Sequence, residues 1–238
     1  MTITSGGIVR DQRVHAIRAL EWGDAAATDF WGFFGNLITI ESGLGDLDDY
    51  GWLTTGFSFL AGTGAVFIAN SPIADAGTIG GLNFDAVNDS LVSPFIFGDY
   101  AHARMVQAIT GVLPTSLNME CYARFASSTD ENETGIGFIE AGGSAVTVAD
   151  QMAVISIGAT TFELHSGAAE DAGSTDDTDP HLFKILCSGT TAEWFIDGTS
   201  QGTVALQDDL WPVAWTAGTK NTDGANDPVV QWVHIWYE

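Results

Sequence analysis

The chain has 238 residues, with 31 Asp and Glu against 7 Lys and Arg, for a net charge of −24. Phosphate repels such a chain, which argues against nucleic acid as its main partner. With 45% hydrophobic residues, 14 Phe and 8 Trp it can bury a core, which excludes a disordered acidic segment. No run of 18 apolar residues occurs, so no membrane-spanning helix is expected.

The charge is uneven. Residues 1–20 hold Arg10, Arg13 and Arg18 against Asp11, a net +2, and the remainder carries −26. This N-terminal segment is expected to be either an arm that docks on an acidic body or a first strand with solvent-facing arginines. Residues 21–238 are expected to form a single domain. The first seven residues lack a basic region followed by an apolar stretch, so the product is expected to be made and assembled in the cytoplasm.

Helical periodicity is limited to residues 14–22 and 99–107. Elsewhere short runs of Val, Ile, Phe and Trp alternate with Gly, Asp, Asn, Ser and Thr clusters. Strands are expected at 37–41, 55–60, 65–69, 92–97, 118–126, 134–140, 154–157, 161–165, 181–188, 192–196, 203–206 and 229–237. The acidic stretch 166–180 reads as a loop between them. Cys121 and Cys187 read as free core thiols; they can pair only if their strands are neighbours.

The terminal strand has an unusual pattern. Period two sets Val229, Gln231, Val233, Ile235 and Tyr237 on one face and Val230, Trp232, His234 and Trp236 on the other. An aromatic second face needs a cover. Three readings stand: another segment of the chain, a subunit interface, or a platform on which sugar rings stack. The segment Trp211-Pro212-Val213-Ala214-Trp215 reads as core plus turn.

The order of elements after residue 117 is specific. An alternating strand, Asn118-Met119-Glu120-Cys121-Tyr122-Ala123-Arg124-Phe125, is followed by Gly135-Ile136-Gly137-Phe138-Ile139-Glu140. Then come His181-Leu182-Phe183-Lys184-Ile185-Leu186-Cys187 and Thr191-Ala192-Glu193-Trp194-Phe195-Ile196-Asp197-Gly198, a small-residue hairpin and the aromatic terminal strand. This order resembles the concanavalin A-like lectin/glucanase jelly roll, in particular its laminin G-like relatives. The resemblance implies an all-β antiparallel sandwich. Asp197-Gly198 also suits the positive φ angles of a tight hairpin.

Glucanases of this family resemble each other in a strand carrying Glu-x-Asp-x-x-Glu, which sets nucleophile and acid/base in the cleft. No such strand occurs: Glu120 and Glu193 have the wrong followers, and Glu131 and Glu133 read as a solvated turn. No Gly-x-Ser-x-Gly elbow is found, and the five histidines lack His-x-x-x-His spacing. The chain is therefore expected not to be an enzyme and to need no cofactor. The one metal expectation is a rim calcium, for which Asp46, Asp48, Asp49, Asp223 and Asp227 are candidate ligands.

Together these features lead to an expected structural virion protein of a tailed phage, a capsid decoration or tail-associated protein. Its expected partners are copies of itself, capsid or tail proteins, and glycans. The candidate interface residues are Arg10, Arg13, Arg18, Trp232, His234 and Trp236. Alternatives are a carbohydrate-binding adhesin and a glycan hydrolase. The Asp-rich, Lys-poor surface also suits a saline setting.

Overall fold

A computed structural model describes residues 29–33, 58–59, 65–68, 81–84, 89–92, 107, 111, 114–125, 134–140, 148–158, 160–208, 213–219 and 228–237. They form two antiparallel sheets packed as a β-sandwich. The strands are β1 (Asp29–Phe33), β2 (Ser58–Phe59), β3 (Ala65–Ile68), β4 (Gly81–Phe84), β5 (Asp89–Val92), β6 (Ser116–Phe125), β7 (Thr134–Glu140), β8 (Gln151–Ile157), β9 (Thr161–Ser166) and β10 (Ala169–Thr175). They continue with β11 (His181–Ser188), β12 (Thr191–Ile196), β13 (Thr199–Ala205), β14 (Val213–Thr219) and β15 (Pro228–Tyr237).

Sheet A runs β13-β12-β11-β6-β15-β4-β3. The edge of β15 away from β6 is shared: β4 pairs with Val229 and Val230, and β1 with residues 232–236. Sheet B runs β10-β9-β8-β7-β14-β5-β2. The all-β sandwich class read from the sequence is thus the observed one.

The core lies between the sheets and follows from period-two alternation. From sheet A, β6 contributes Leu117, Met119, Cys121, Ala123 and Phe125, and β11 contributes Phe183, Ile185 and Cys187. Sheet B answers with Ile136, Phe138, Ile155, Phe162, Leu164 and Trp215. Phe125, Phe162 and Phe183 meet tilted or edge-on at centroid distances of 5.4–6.1 Å, the packing that ring quadrupoles favour. Cys121 and Cys187 are buried and free, and burial pushes both thiols far up. Their strands are neighbours, but Cys121 pairs with Phe183 and Cys187 with Leu117. That offset of four positions is about 13 Å, beyond the reach of a disulfide.

Several expectations change. The acidic loop is interrupted by a strand: Ala169–Thr175 pairs with β9 at the edge of sheet B. The sequence Ala-Glu-Asp-Ala-Gly-Ser-Thr has no apolar alternation: none of its residues is buried, and polar or small residues stand on both faces. Charged residues on an edge strand also deter edge-to-edge association. In β15 the register shifts between Val230 and Trp232, so Gln231 is an extra residue and the parity flips. Val230 therefore enters the core with Val233, Ile235 and Tyr237, and does not share the face of Trp232, His234 and Trp236.

Val213, Ala214 and Trp215 are buried as expected, in the inner strand β14, and Trp211 and Pro212 lie outside the described residues. The expected strand at 55–60 contracts to Ser58–Phe59, and that at 92–97 begins earlier, as Asp89–Val92. Strands β1 and β4 were not expected. The expected strand at 37–41, the helix at 14–22, the arm at 1–20 and the turn carrying Glu131 and Glu133 lie outside the described residues. Of the helix at 99–107, only Gln107 is described; it is helical, and its carbonyl accepts from the Gly111 amide at 2.8 Å.

Candidate functional site

The outer face of sheet A gathers side chains from four strands. On β6, alternation turns Glu120 and Tyr122 away from the core. On β11 it turns Leu182 and Lys184, on β12 Glu193 and Phe195, and on β15, after the bulge, Trp232, His234 and Trp236. Register aligns them in rows across the sheet. His234 faces Glu120, Glu120 faces Lys184, and Lys184 faces Phe195. A flanking row runs Trp232, Tyr122, Leu182. All of these are partly exposed.

The geometry is that of a platform. The His234 and Trp236 rings stack at 4.7 Å with planes 23° apart. The Lys184 ammonium lies 5.5 Å from the Trp236 ring centre and 5.9 Å from that of Phe195, and 3.4 Å from Glu120 Oε1. Cation–π attraction and the ion pair hold Lys184 over the rings. Ser200 donates to Glu193 Oε1 at 2.9 Å at the margin. Partly exposed rings interspersed with a carboxylate, an ammonium and a hydroxyl present both an apolar surface and hydrogen-bonding groups. Those two features suit a sugar, whose C–H faces stack on rings while its hydroxyls bond to polar groups.

Of the sequence-derived interface residues, the structure brings Trp232, His234 and Trp236 together on this face. Arg10, Arg13 and Arg18 lie outside the described residues, as do the calcium candidates Asp46, Asp48, Asp49, Asp223 and Asp227. Lys184, Glu120, Tyr122 and Phe195 were missed as site residues. Their alternation was legible; their proximity to the terminal strand was not.

A second polar group sits at the β12–β13 hairpin. His181 bonds Asp197 Oδ2 through Nδ1 at 2.6 Å and Asp177 Oδ1 through Nε2 at 2.9 Å. Asp197, at φ 50° with Gly198 at 79°, makes the tight turn expected from the sequence, and its Oδ1 accepts the Leu182 amide at 2.9 Å. With both nitrogens bonded to carboxylates the ring is an imidazolium clamp and has no free nitrogen to act as a base. Burial lowers the His181 pKa, but the bonds to Asp197 and Asp177 outweigh it and leave the value raised. Burial raises that of Asp197, yet the Leu182 amide and His181 leave it lowered.

A raised histidine contributes stability that is complete below its unfolded pKa of about 6.5 and is lost as pH rises through the folded value. A lowered Asp contributes above about 3.9 and loses its effect as pH falls through its folded value. The clamp is therefore strongest between about pH 4 and 6.5. Both carboxylates are half exposed, so the expected contribution is about 1 kcal/mol or less. Urea unfolding of the protein and of His181→Asn should differ by that amount at pH 5.5 and converge by pH 9. A constant difference would refute the clamp.

No family model and no curated protein matches the chain. Solved structures do share its fold. A conserved carbohydrate esterase from the Shiga toxin-encoding bacteriophage phi24B aligns at TM-score 0.51 and 14% identity, over 83% of this chain and 97% of that one. A Trypanosoma rangeli sialidase mutant displaying trans-sialidase activity aligns at TM-score 0.47 and 13% identity; this chain covers 30% of its length. A Crh5 transglycosylase in complex with NAG aligns at 0.45 and 11%, over 76% of this chain and 78% of that one.

One of these findings corrects the expectation that the chain is not an enzyme: a phage carbohydrate esterase shares its fold along nearly its whole length. The missing Glu-x-Asp-x-x-Glu strand excludes one arrangement of carboxylates, and a sandwich of this kind hosts other chemistries.

Proposed function

We propose that this chain is a carbohydrate-recognising β-sandwich of a tailed-phage particle, which engages a glycan on the outer face of sheet A. The observation that carries this reading is the row of His234, Glu120, Lys184 and Phe195 with Trp236 beside it, partly exposed rings set around a held charge pair. A phage esterase of the same fold supports the phage setting. The acidic, Lys-poor composition suits a solvent-facing outer surface. The sugar stacks on the rings, and Glu120 and Lys184 serve its hydroxyls.

The test is a glycan array followed by calorimetry with the best ligand, run beside an assay for ester or sugar release from the same glycan. The wild type is expected to bind. Trp236→Ala and Lys184→Ala should each weaken binding at least tenfold, about 1.4 kcal/mol. Far-UV circular dichroism controls for folding. Binding that survives both substitutions, or no binding to any glycan, would overturn the proposal.

A further inference from the structure

The outer face of sheet B carries a polar group unrelated to the platform on sheet A. In β9, Phe162 and Leu164 enter the core, so the alternate residues Glu163 and His165 face outward. The chain turns at Gly167, whose φ of 57° suits a tight reversal, and register sets Glu170 of β10 opposite His165. One ligand atom from each of Glu163, His165 and Glu170 lies within 4.8 Å of the other two. His165 is 3% exposed, and its Nε2 stands 3.1 Å from Glu163 Oε2.

Two further observations point to an occupant. Ser156 of β8 lies opposite Glu163 on the same face; it is fully buried, and its hydroxyl has no hydrogen-bond partner. A buried hydroxyl left without a partner loses its hydrogen bonds to water and gains none in return. At the end of β8, Gly158 leaves the space in which the Glu163 carboxylate rests, since a Cβ there would strike it.

We propose that Glu163, His165 and Glu170 form a site for a divalent transition-metal ion of the zinc class, with the Ser156 hydroxyl meeting a water in the remaining position. One imidazole nitrogen with two carboxylate oxygens is a donor set that Zn²⁺ accepts at about 2.0–2.2 Å. Ca²⁺ takes oxygen ligands alone, so the histidine selects against it. Ligands of a tetrahedral ion stand about 3.5 Å apart, as follows from those bond lengths. The 4.8 Å bound thus calls for a contraction of an ångström or so, which the exposed side chain of Glu170 can supply by changing rotamer.

His181 offers an instructive contrast. Its two carboxylates sit on opposite ring nitrogens, where no single ion touches both. At His165 one ligand atom from each of the three residues lies within reach of the other two, so a single dication can touch all three.

The test is calorimetric titration of the chelator-treated full chain with zinc chloride, with Co²⁺ absorption spectra to report coordination. The expected result is one equivalent of zinc, a rise in Tm on binding, and a visible cobalt spectrum. His165→Gln and Glu170→Gln should each weaken zinc binding at least tenfold, while His181→Asn leaves it unchanged. Should His165→Gln fail to fold, Glu170→Gln decides, because its side chain is exposed and lies outside the core. No stoichiometric binding, or an affinity that Glu170→Gln leaves unchanged, would overturn the site.

Discussion

Trp194→Ala is expected to lower the unfolding free energy by about 3–5 kcal/mol, the range for emptying the space of a large aromatic in a core. Trp194 is fully buried among the sandwich residues. Its ring lies so close to Gly173 that a Cβ there would come within 2.7 Å of it, and its Nε1 donates to Asp171 Oδ2 at 2.8 Å. One side chain thus joins an outer strand of sheet A to the edge strand of sheet B. Ser174 and Gln201 reinforce that closure, the Ser174 amide donating to Gln201 Oε1 at 2.8 Å. Trp194→Phe keeps most of the apolar volume and loses the donor, so its cost should be nearer 1–2 kcal/mol. Equilibrium urea unfolding measures both. A Trp194→Ala cost below about 1 kcal/mol would mean that the sandwich collapses around the gap or does not close there.

Gly137→Ala should cost at least as much as typical overpacking, about 1–3 kcal/mol, because the obstruction is main chain. A Cβ at Gly137 would strike the Ala153 carbonyl oxygen and come within 2.8 Å of Val154 Cα. Neither atom can rotate away, so β7 and β8 would have to part in the middle of sheet B. Gly135→Ala meets the Val154 side chain first, which has a rotamer to give, and should cost less. Thermal melts of the two variants test that order. The reverse order would show that the β7–β8 pairing differs from the register described.

The aromatic terminal strand shows how far the sequence could be read. Period two correctly grouped Trp232, His234 and Trp236, since side-chain direction along a strand is a local property. It misplaced Val230, because one extra residue at Gln231 inverts the parity and nothing in the local sequence marks the insertion. The hairpin at Asp197-Gly198 was legible because positive φ angles favour Asp and Gly for intrinsic steric reasons. Strand β10 was not legible, as an edge strand with no buried side chain has no hydrophobic alternation to show.

The metal candidates illustrate the same division. Spacing rules search for ligands one helical turn apart, whereas Glu163, His165 and Glu170 meet through a two-strand register. The acids, too, are placed differently from the loops expected: Glu170 and Asp171 lie within a strand.

By itself the sequence determined what depends on neighbouring residues: the charge of −24, the alternation that makes strands with one apolar face, and the tight turn at Asp197 and Gly198. Only the tertiary structure decided which strands lie side by side. The order β12-β11-β6-β15 brings Phe195, Lys184, Glu120 and His234 into one row, and the order β10-β9-β8 brings Glu170, His165, Glu163 and Ser156 onto one face. The physical reason is that a side chain's direction follows from its own backbone, while its cross-strand neighbours follow from hydrogen-bond pairing and register between segments far apart in the chain.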